Sequence, residues 1–270
     1  MSEGRPPQVR EAREGSRAYD RVDVLLLAAF GPELAPLKPA FASSLLAASP
    51  AAEDAPAPAG SMNGRIGPRS LCVRAITCGI GLSAAAAYSS FQIRETRPRA
   101  VILLGTCGAY RACAPCAPRE AATLAIGDVI VSRRIVLADW ATIEGHAQFP
   151  PATAEPISAD AGLVESLARA GAARADVANT LGITVKDDVA TRIAKSTGAE
   201  VEHLEAYGVA TASAVSGVPF AAVLGVANAV GSAGRAEWRS HHVRASEAAA
   251  QLVLAWIQTT AAEGLAPRAS

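Results

Sequence analysis

The stretch AEVEHLEAYGVATASAVSGVPFAAVLGVANAVGSAGRAEW, Ala199 to Trp238, decides how the chain folds. Val201, Leu204, Gly208, Ala212 and Val215 recur at spacings of three and four, which predicts a helix with Glu202 and Glu205 on nearly the same face. Gly217 and Pro219 end that helix. Phe220 to Ala227 is an uncharged apolar run of strand length, the pattern of an interior strand buried on both faces. It stops at Asn228, and the Gly-rich segment Gly231 to Gly234 follows. Small molecules bind beyond the carboxyl ends of strands in open α/β sheets, so Asn228 is placed to meet a ligand.

Glu202 and Glu205 stand three apart, where like charges on a helix repel weakly in water and more strongly when buried. Two readings fit such a pair: a solvated helical face, or a carboxylate that accepts hydrogen bonds from a polyol such as ribose. Val201, Leu204, Ala206 and the apolar run to Val215 leave little polar face, which favours the second.

Working outward, Val22 to Phe30 (VDVLLLAAF) reads as a buried strand that breaks at Gly31-Pro32, with Glu33 at its carboxyl end. On its own Glu33 equally suits a helix first turn, favoured by the dipole. Leu71 to Thr77 is a short strand, Cys78-Gly79-Ile80-Gly81 a tight turn and Ser83 to Phe91 a helix. The two glycines fit a phosphate loop or a purely steric turn. Arg99 to Leu104 is a strand running into Gly105-Thr106-Cys107-Gly108-Ala109, small residues that let backbone approach a flat ligand. Cys107 has no basic neighbour in sequence to activate it and reads as an apolar contact, not a nucleophile. Asp128 is expected to cap a turn before the strand to Ser132, and 139–160 to form an excursion that could cover a pocket. Leu163 to Ala170 reads as a helix, Leu181 to Val185 as a strand and Val243 to Ile257 as an amphipathic closing helix. Strands and helices alternating in this way predict an α/β domain.

A chain of 270 residues, half of them hydrophobic, can bury one large core. Residues 1–21 read as a flexible arm without the apolar core of a secretory signal, 22–262 as the domain and 263–270 as a tail. The Ala- and Pro-rich 47–67 reads as a flexible loop. A formal charge of zero removes the electrostatic case for nucleic acid or an anionic membrane as partner. No apolar run reaches the roughly 18 residues of a membrane span. Five cysteines, an odd number, point to a reducing cytoplasm. Cys113 and Cys116 form a single pair in a Pro-rich loop, short of the four ligands of a zinc site, so neither metal nor cofactor is expected. His241-His242 reads as a surface pair.

Val201-Glu202-His203-Leu204-Glu205-Ala206, then Gly217-Val218-Pro219-Phe220, Asn228 and Trp238 resemble the purine nucleoside phosphorylase and nucleosidase superfamily, and within it futalosine hydrolases most. The branch acting on methylthioadenosine and adenosylhomocysteine has its glutamates two apart and an Asp in place of Asn228. Ala29-Phe30-Gly31-Pro32-Glu33 is similar to the family's first-strand motif, and Gly105-Thr106-Cys107-Gly108 to its base- and sugar-lining turn. The resemblance implies a three-layer αβα fold around a central, mostly parallel mixed sheet. It implies Glu33 as the activator of water, Glu205 as the ribose acceptor and Asn228 as the contact to the purine Hoogsteen edge. It places Thr106, Cys107, Gly108, Thr184, Glu202, Leu204 and Trp238 around the substrate. The implied reaction is hydrolysis of a purine nucleoside, futalosine to hypoxanthine and dehypoxanthine futalosine in menaquinone synthesis, by a cytoplasmic homo-oligomer. Alternatives are a methylthioadenosine/adenosylhomocysteine nucleosidase, a purine nucleoside phosphorylase, and a nucleoside-binding protein without turnover. Where futalosine hydrolases carry Arg-Asp shortly after Val-Gly, this chain has Ala233-Gly234, with Arg235 two places late.

Overall fold

The computed structural model describes residues 22–45, 61–111, 124–259 and 265. Strand β1 (Val24–Ala28) is followed by α1 (Gly31–Leu34) and α2 (Lys38–Leu45), then by β2 (Met62–Ile66), β3 (Leu71–Thr77), α3 (Leu82–Thr96) and β4 (Ala100–Ala109). Next come β5 (Val129–Leu137), the single-turn helices α4 (Trp140–Ile143) and α5 (Pro151–Ala154), β6 (Ile157–Ser158) and α6 (Ala161–Arg169). The described chain ends with β7 (Ala173–Asn179), α7 (Asp187–Thr197), β8 (Val201–His203), α8 (Ala206–Val215), β9 (Phe220–Ala229) and α9 (Gly234–Thr259).

The strands form one mixed sheet in the order β2-β3-β1-β4-β8-β7-β5-β6, with β9 pairing both β4 and β5. The core pairings β3–β1, β1–β4, β4–β9, β5–β7 and β7–β8 are parallel. The pairings β4–β8, β8–β7, β7–β5, β5–β9 and β9–β4 close a ring, so this half of the sheet curls into a small barrel with no free edge.

Successive residues of β1, β4 and β9 feed opposite layers, as strands covered on both faces must. Leu26, Ile102, Leu104 and Val223 pack under α1, α2, α6 and α9, where Phe41, Leu167 and the fully buried Trp256 meet them. Leu25, Leu27, Leu103, Leu224 and Val226 pack under α3 and α8. Two glycines set how closely the layers approach. A Cβ on Gly208 of α8 would lie 2.5 Å from the Leu82 carbonyl oxygen of α3, and one on Gly225 of β9 would overlap the Ala245 carbonyl of α9.

The α/β class and the three-layer arrangement are therefore as expected, but several elements differ. Residues 199–215 are not one helix: Val201–His203 is a strand held between β4 and β7, and α8 begins only at Ala206. Glu202 and Glu205 consequently do not share a helical face. Leu181–Val185 is not a strand; the strand lies earlier, at Ala173–Asn179, where its sequence ARADVAN hides its period among alanines. Met62–Ile66, inside the stretch expected to be a loop, pairs antiparallel with β3. The closing helix starts nine residues before Val243, at Gly234. Residues 1–21, the Cys113/Cys116 pair and nearly all of the tail lie outside the described residues. Among the described residues no helix is long and apolar enough to cross a membrane.

Candidate active site

The carboxyl ends of β1, β4 and β9 open on the same side of the sheet, and the turns leaving them carry the polar groups. After β1 the chain turns at Phe30, and Pro32 helps to start the four-residue α1. Glu33 in that turn points back to the sheet and is only 3% exposed. Its Oε2 accepts the Ala29 N–H at 3.1 Å, and its Oε1 accepts the Thr106 N–H at 3.1 Å and the Thr106 hydroxyl at 3.4 Å. Gly105 makes this approach possible, since a Cβ there would stand 3.0 Å from Oε1. Burial first, and the neighbouring Glu205 charge second, push the Glu33 carboxyl up to about 8, against the lowering effect of the backbone N–H donors. Glu33 is thus largely protonated at neutral pH.

Glu205 precedes α8 and is 4% exposed. Its Oε1 accepts the Gly81 N–H at 2.7 Å. Gly79 and Gly81 both have positive φ, so the turn that could have cradled a phosphate instead offers its last amide to a carboxylate. His203 Nδ1 lies 3.3 Å from Glu205 Oε2. This is not an ion pair: the same Nδ1 accepts the Glu205 and Ala206 N–H groups, each at 3.1 Å, and burial lowers the His203 pKa. A neutral imidazole therefore satisfies the free amides that start α8. Cys78, on the turn between, feels both acids: burial, then Glu205, then Glu33 push its thiol up to about 12. Burial likewise raises Cys107, an inert thiol as its sequence surroundings suggest.

Asn228 is brought to this end by a β-bulge. Cys107 pairs with Val226 but Gly108 pairs with Asn228, which leaves Ala227 without a β4 partner. Without the extra residue Asn228 would face Ala109 on the opposite side of the sheet. Its Nδ2 donates to the Ala229 carbonyl at 2.8 Å and is packed between Gly108 and Gly234, where a Cβ would lie 2.9 and 3.0 Å away. One amide proton is thereby used. Trp238, on the second turn of α9, donates Nε1–H to the Thr106 hydroxyl at 3.2 Å and stacks on His242 at 4.2 Å between centroids. His242 is half-buried and stacked on Trp238, whose ring also lies 6.4 Å from that of Phe30 between centroids.

Glu33, Thr106, Gly108, Glu205, Asn228 and Trp238 thus meet at one end of the sheet, from segments far apart in sequence. Leu204 is partly buried beside Glu205, its carbonyl accepting from Asn179 at 3.2 Å. Glu202 is engaged differently: its carboxylate accepts from Tyr110 OH (2.9 Å), Thr184 Oγ1 (2.6 Å) and Thr184 N (3.0 Å), so protein donors occupy both oxygens. Thr184 also lines a cleft of ≈ 390 Å³ walled by Trp140, Thr180, Leu181, Ile183 and Ile193, which Glu33, Glu205 and Asn228 do not reach. Asp128 caps its turn, accepting the Ala125 N–H at 2.8 Å.

Asn179, Tyr110, His203, Asp187 and Glu237 all support the site and were not singled out for it in the sequence. Asn179 ends β7 as Asn228 ends β9, and ties it to α8 by accepting the Tyr207 N–H at 2.9 Å. Its strand carries Arg174 and Asp176 among alanines, so no apolar run marked Asn179 as a strand end. Tyr110 and Asp187 depend on contacts between distant segments, which no local pattern reveals, whereas His203 and Glu237 act on backbone amides nearby in sequence. No group of His, Cys, Asp and Glu able to hold a metal occurs among the described residues.

Solved structures share this fold. A 5′-methylthioadenosine/S-adenosylhomocysteine nucleosidase from Colwellia psychrerythraea, in complex with adenine, superposes with a TM-score of 0.71 at 18% identity, over 88% of this chain and 95% of that one. The futalosine hydrolase of Helicobacter pylori gives 0.71 at 14% identity, over 88% and 97%. The 5′-methylthioadenosine/S-adenosylhomocysteine nucleosidase from Neisseria meningitidis, in complex with methylthio-immucillin-A, gives 0.70 at 19% identity, over 88% and 99%. No curated protein sequence matches the chain significantly. The family model of the phosphorylase superfamily matches residues 24–258, from the first strand to the end of α9, and the chain belongs to that superfamily.

Proposed function

We propose that the chain hydrolyses the N-glycosidic bond of a purine nucleoside. The observation that carries this reading is the pair of buried carboxylates, Glu33 after β1 and Glu205 between β8 and α8, near enough for the charge of Glu205 to raise Glu33. Cleavage of the C1′–N9 bond builds positive charge on the sugar and negative charge on the purine. Glu205 keeps Oε2 for the ribose hydroxyls and stabilises the cationic sugar. Glu33 in its ionised form takes the proton of the water whose oxygen bonds to C1′. Asn228 meets the Hoogsteen edge of the leaving purine by hydrogen bonding alone; the proton that Glu33 took from water is released to solvent, solvent protonates the departing purine nitrogen, and Glu33 is left ionised again. Thr106, Cys107 and Gly108 line base and sugar, Leu204 and Trp238 border them, and Glu202 shapes the wall through Thr184 and Tyr110. Water is favoured over phosphate as nucleophile because Glu205 already occupies the Gly81 amide, the backbone donor that a phosphate would need.

Futalosine is the substrate the sequence motif supports, through the three-residue Glu202–Glu205 spacing and Asn in place of Asp at 228. A second reading, an adenine nucleoside such as methylthioadenosine or adenosylhomocysteine, is favoured by the Asn228 amide. With one proton given to the Ala229 carbonyl it offers one donor and one acceptor, which matches N7 and the 6-amino group of adenine. Chromatography of futalosine, inosine, methylthioadenosine and adenosylhomocysteine, each with and without phosphate, separates these outcomes. Release of hypoxanthine or adenine independent of phosphate supports the hydrolase, and release that needs phosphate supports a phosphorylase. Ligand binding without any release leaves a binding protein.

A further inference from the structure

Asp187 is the first residue of α7, yet its carboxylate crosses to the loop between β9 and α9. Oδ1 accepts the Ser232 N–H and Oδ2 the Ser232 hydroxyl, each at 2.9 Å. The grip is close enough that a Cβ on Gly231, which has φ +126°, would overlap Asp187 Oδ1. These two bonds, the backbone one first, hold Asp187 below the usual carboxylate range, with the Arg111 charge adding a smaller effect. The near side of the loop is held separately: Glu237 Oε2 accepts the Ala229 N–H at 2.7 Å and the Ala109 carbonyl accepts the Val230 N–H at 2.8 Å. The Ala229 carbonyl that receives the Asn228 amide shares its peptide group with the Val230 N–H, at the very end of the β9 pairing, and Asp187 anchors the chain just beyond that end, where the strand would otherwise fray.

We propose that Asp187 is a positioning residue for Asn228: by gripping Ser232 it fixes residues 229–232, so that the Ala229 carbonyl holds the Asn228 amide with one N–H and one C=O turned toward the purine. The inference rests on the reading of Asn228 as the base contact and, of the two substrates proposed above, on the adenine nucleoside. Two hydrogen bonds to an exposed aspartate stabilise the fold little, so their effect falls on the geometry of the loop. Released from Asp187, the amide turns more freely and loses its preference for a 6-amino over a 6-oxo edge.

The test uses the full chain and the free bases adenine and hypoxanthine as calorimetric probes, so that it needs no turnover. The wild type is expected to bind adenine more tightly than hypoxanthine. Asp187→Ala lowers adenine affinity about 10-fold and narrows the ratio between the bases, with a melting temperature within about 2 °C of wild type. In the Asn228→Ala background the same substitution changes affinity less than about twofold, because the two residues act as a unit. Asp187→Asn, whose amide oxygen still accepts the Ser232 N–H, recovers most of the loss. Equal effects of Asp187→Ala in both backgrounds, or none in either, overturn the role of Asp187 and leave Asn228 as the base contact. A wild type that binds neither base overturns the base-contact reading itself, and this inference with it.

Discussion

Glu33 and Glu205 lie close enough for the charge of one to raise the carboxyl of the other, although they enter the site from opposite ends of the domain. Folding takes the Glu33 carboxyl from 4.5 to about 8. Between those values the folded state keeps a proton that the unfolded chain gives up. Stability is therefore fully present below pH 4.5 and falls as pH rises to about 8, by up to about 1.4 kcal/mol per pH unit. Urea unfolding across this range should show the decline in the wild type and a flattened profile in Glu33→Gln, which stays neutral. A wild-type profile as flat as the variant's would remove the raised carboxyl.

The same proton governs activity. A base must first lose it, so kcat/KM for base release is expected to climb with pH toward a plateau above about 8. Glu33→Gln should lose about 10²- to 10⁴-fold, the usual contribution of a general base, and lose the climb as well. Activity that falls through this range would make protonated Glu33 the working form.

Glu205→Gln keeps an oxygen for the Gly81 N–H but removes the charge that faces the sugar. Base release should drop by at least about 10²- to 10³-fold, the cost of losing one electrostatic stabiliser. Because the Glu205 charge raises Glu33, the residual pH profile should also shift to lower pH. An unmoved midpoint would separate the two carboxylates.

What the sequence disclosed, and what it hid, follows from the range of the forces involved. The runs VLLLA, AVILL and FAAVL announce strands buried on both faces, since that environment admits almost nothing else, and Glu33 and Asn228 are visible as the polar residues that end such runs. The VEHLEA segment misleads because its apolar spacing suits a helix, whereas β4 and β7 on either side turn its first half into a strand. β7 escaped notice because three of its seven residues are alanine, which gives a weak period. The bulge that turns Asn228 to the site, and the Asp187–Ser232 grip, arise from pairings across the fold and leave no local trace.

Gly105 is a specific requirement of the Glu33 pocket. Gly105→Ala would put a methyl group 3.0 Å from Glu33 Oε1 in a space closed by the Thr106 N–H and the Ala29 N–H. The carboxylate must move, and displacements of this kind cost between about 10- and 100-fold in rate. The loss should appear in kcat with KM little changed, because the base and sugar contacts remain. A variant with wild-type kcat would show that Glu33 has room its neighbours do not suggest.

Glu202 offers the last contrast. Tyr110 OH and the Thr184 hydroxyl both donate to its Oε2, and the Thr184 N–H donates to its Oε1, all in buried surroundings. Burial, followed by the Glu202 charge and its hydrogen bond, raises the Tyr110 hydroxyl well above its ordinary value, so it stays a donor at any working pH. Tyr110→Phe removes a bond to a charged group and should cost about 1.5–3 kcal/mol of stability, read from urea unfolding. Thr184→Val keeps the backbone donor but loses the hydroxyl, and the double variant should differ from the sum of the singles because both act on one carboxylate oxygen. If Glu202 serves the site only by holding these two neighbours, KM for the nucleoside changes less than about threefold in Tyr110→Phe despite the lost stability. A large rise in KM with little change in stability would instead place Glu202 in contact with the substrate.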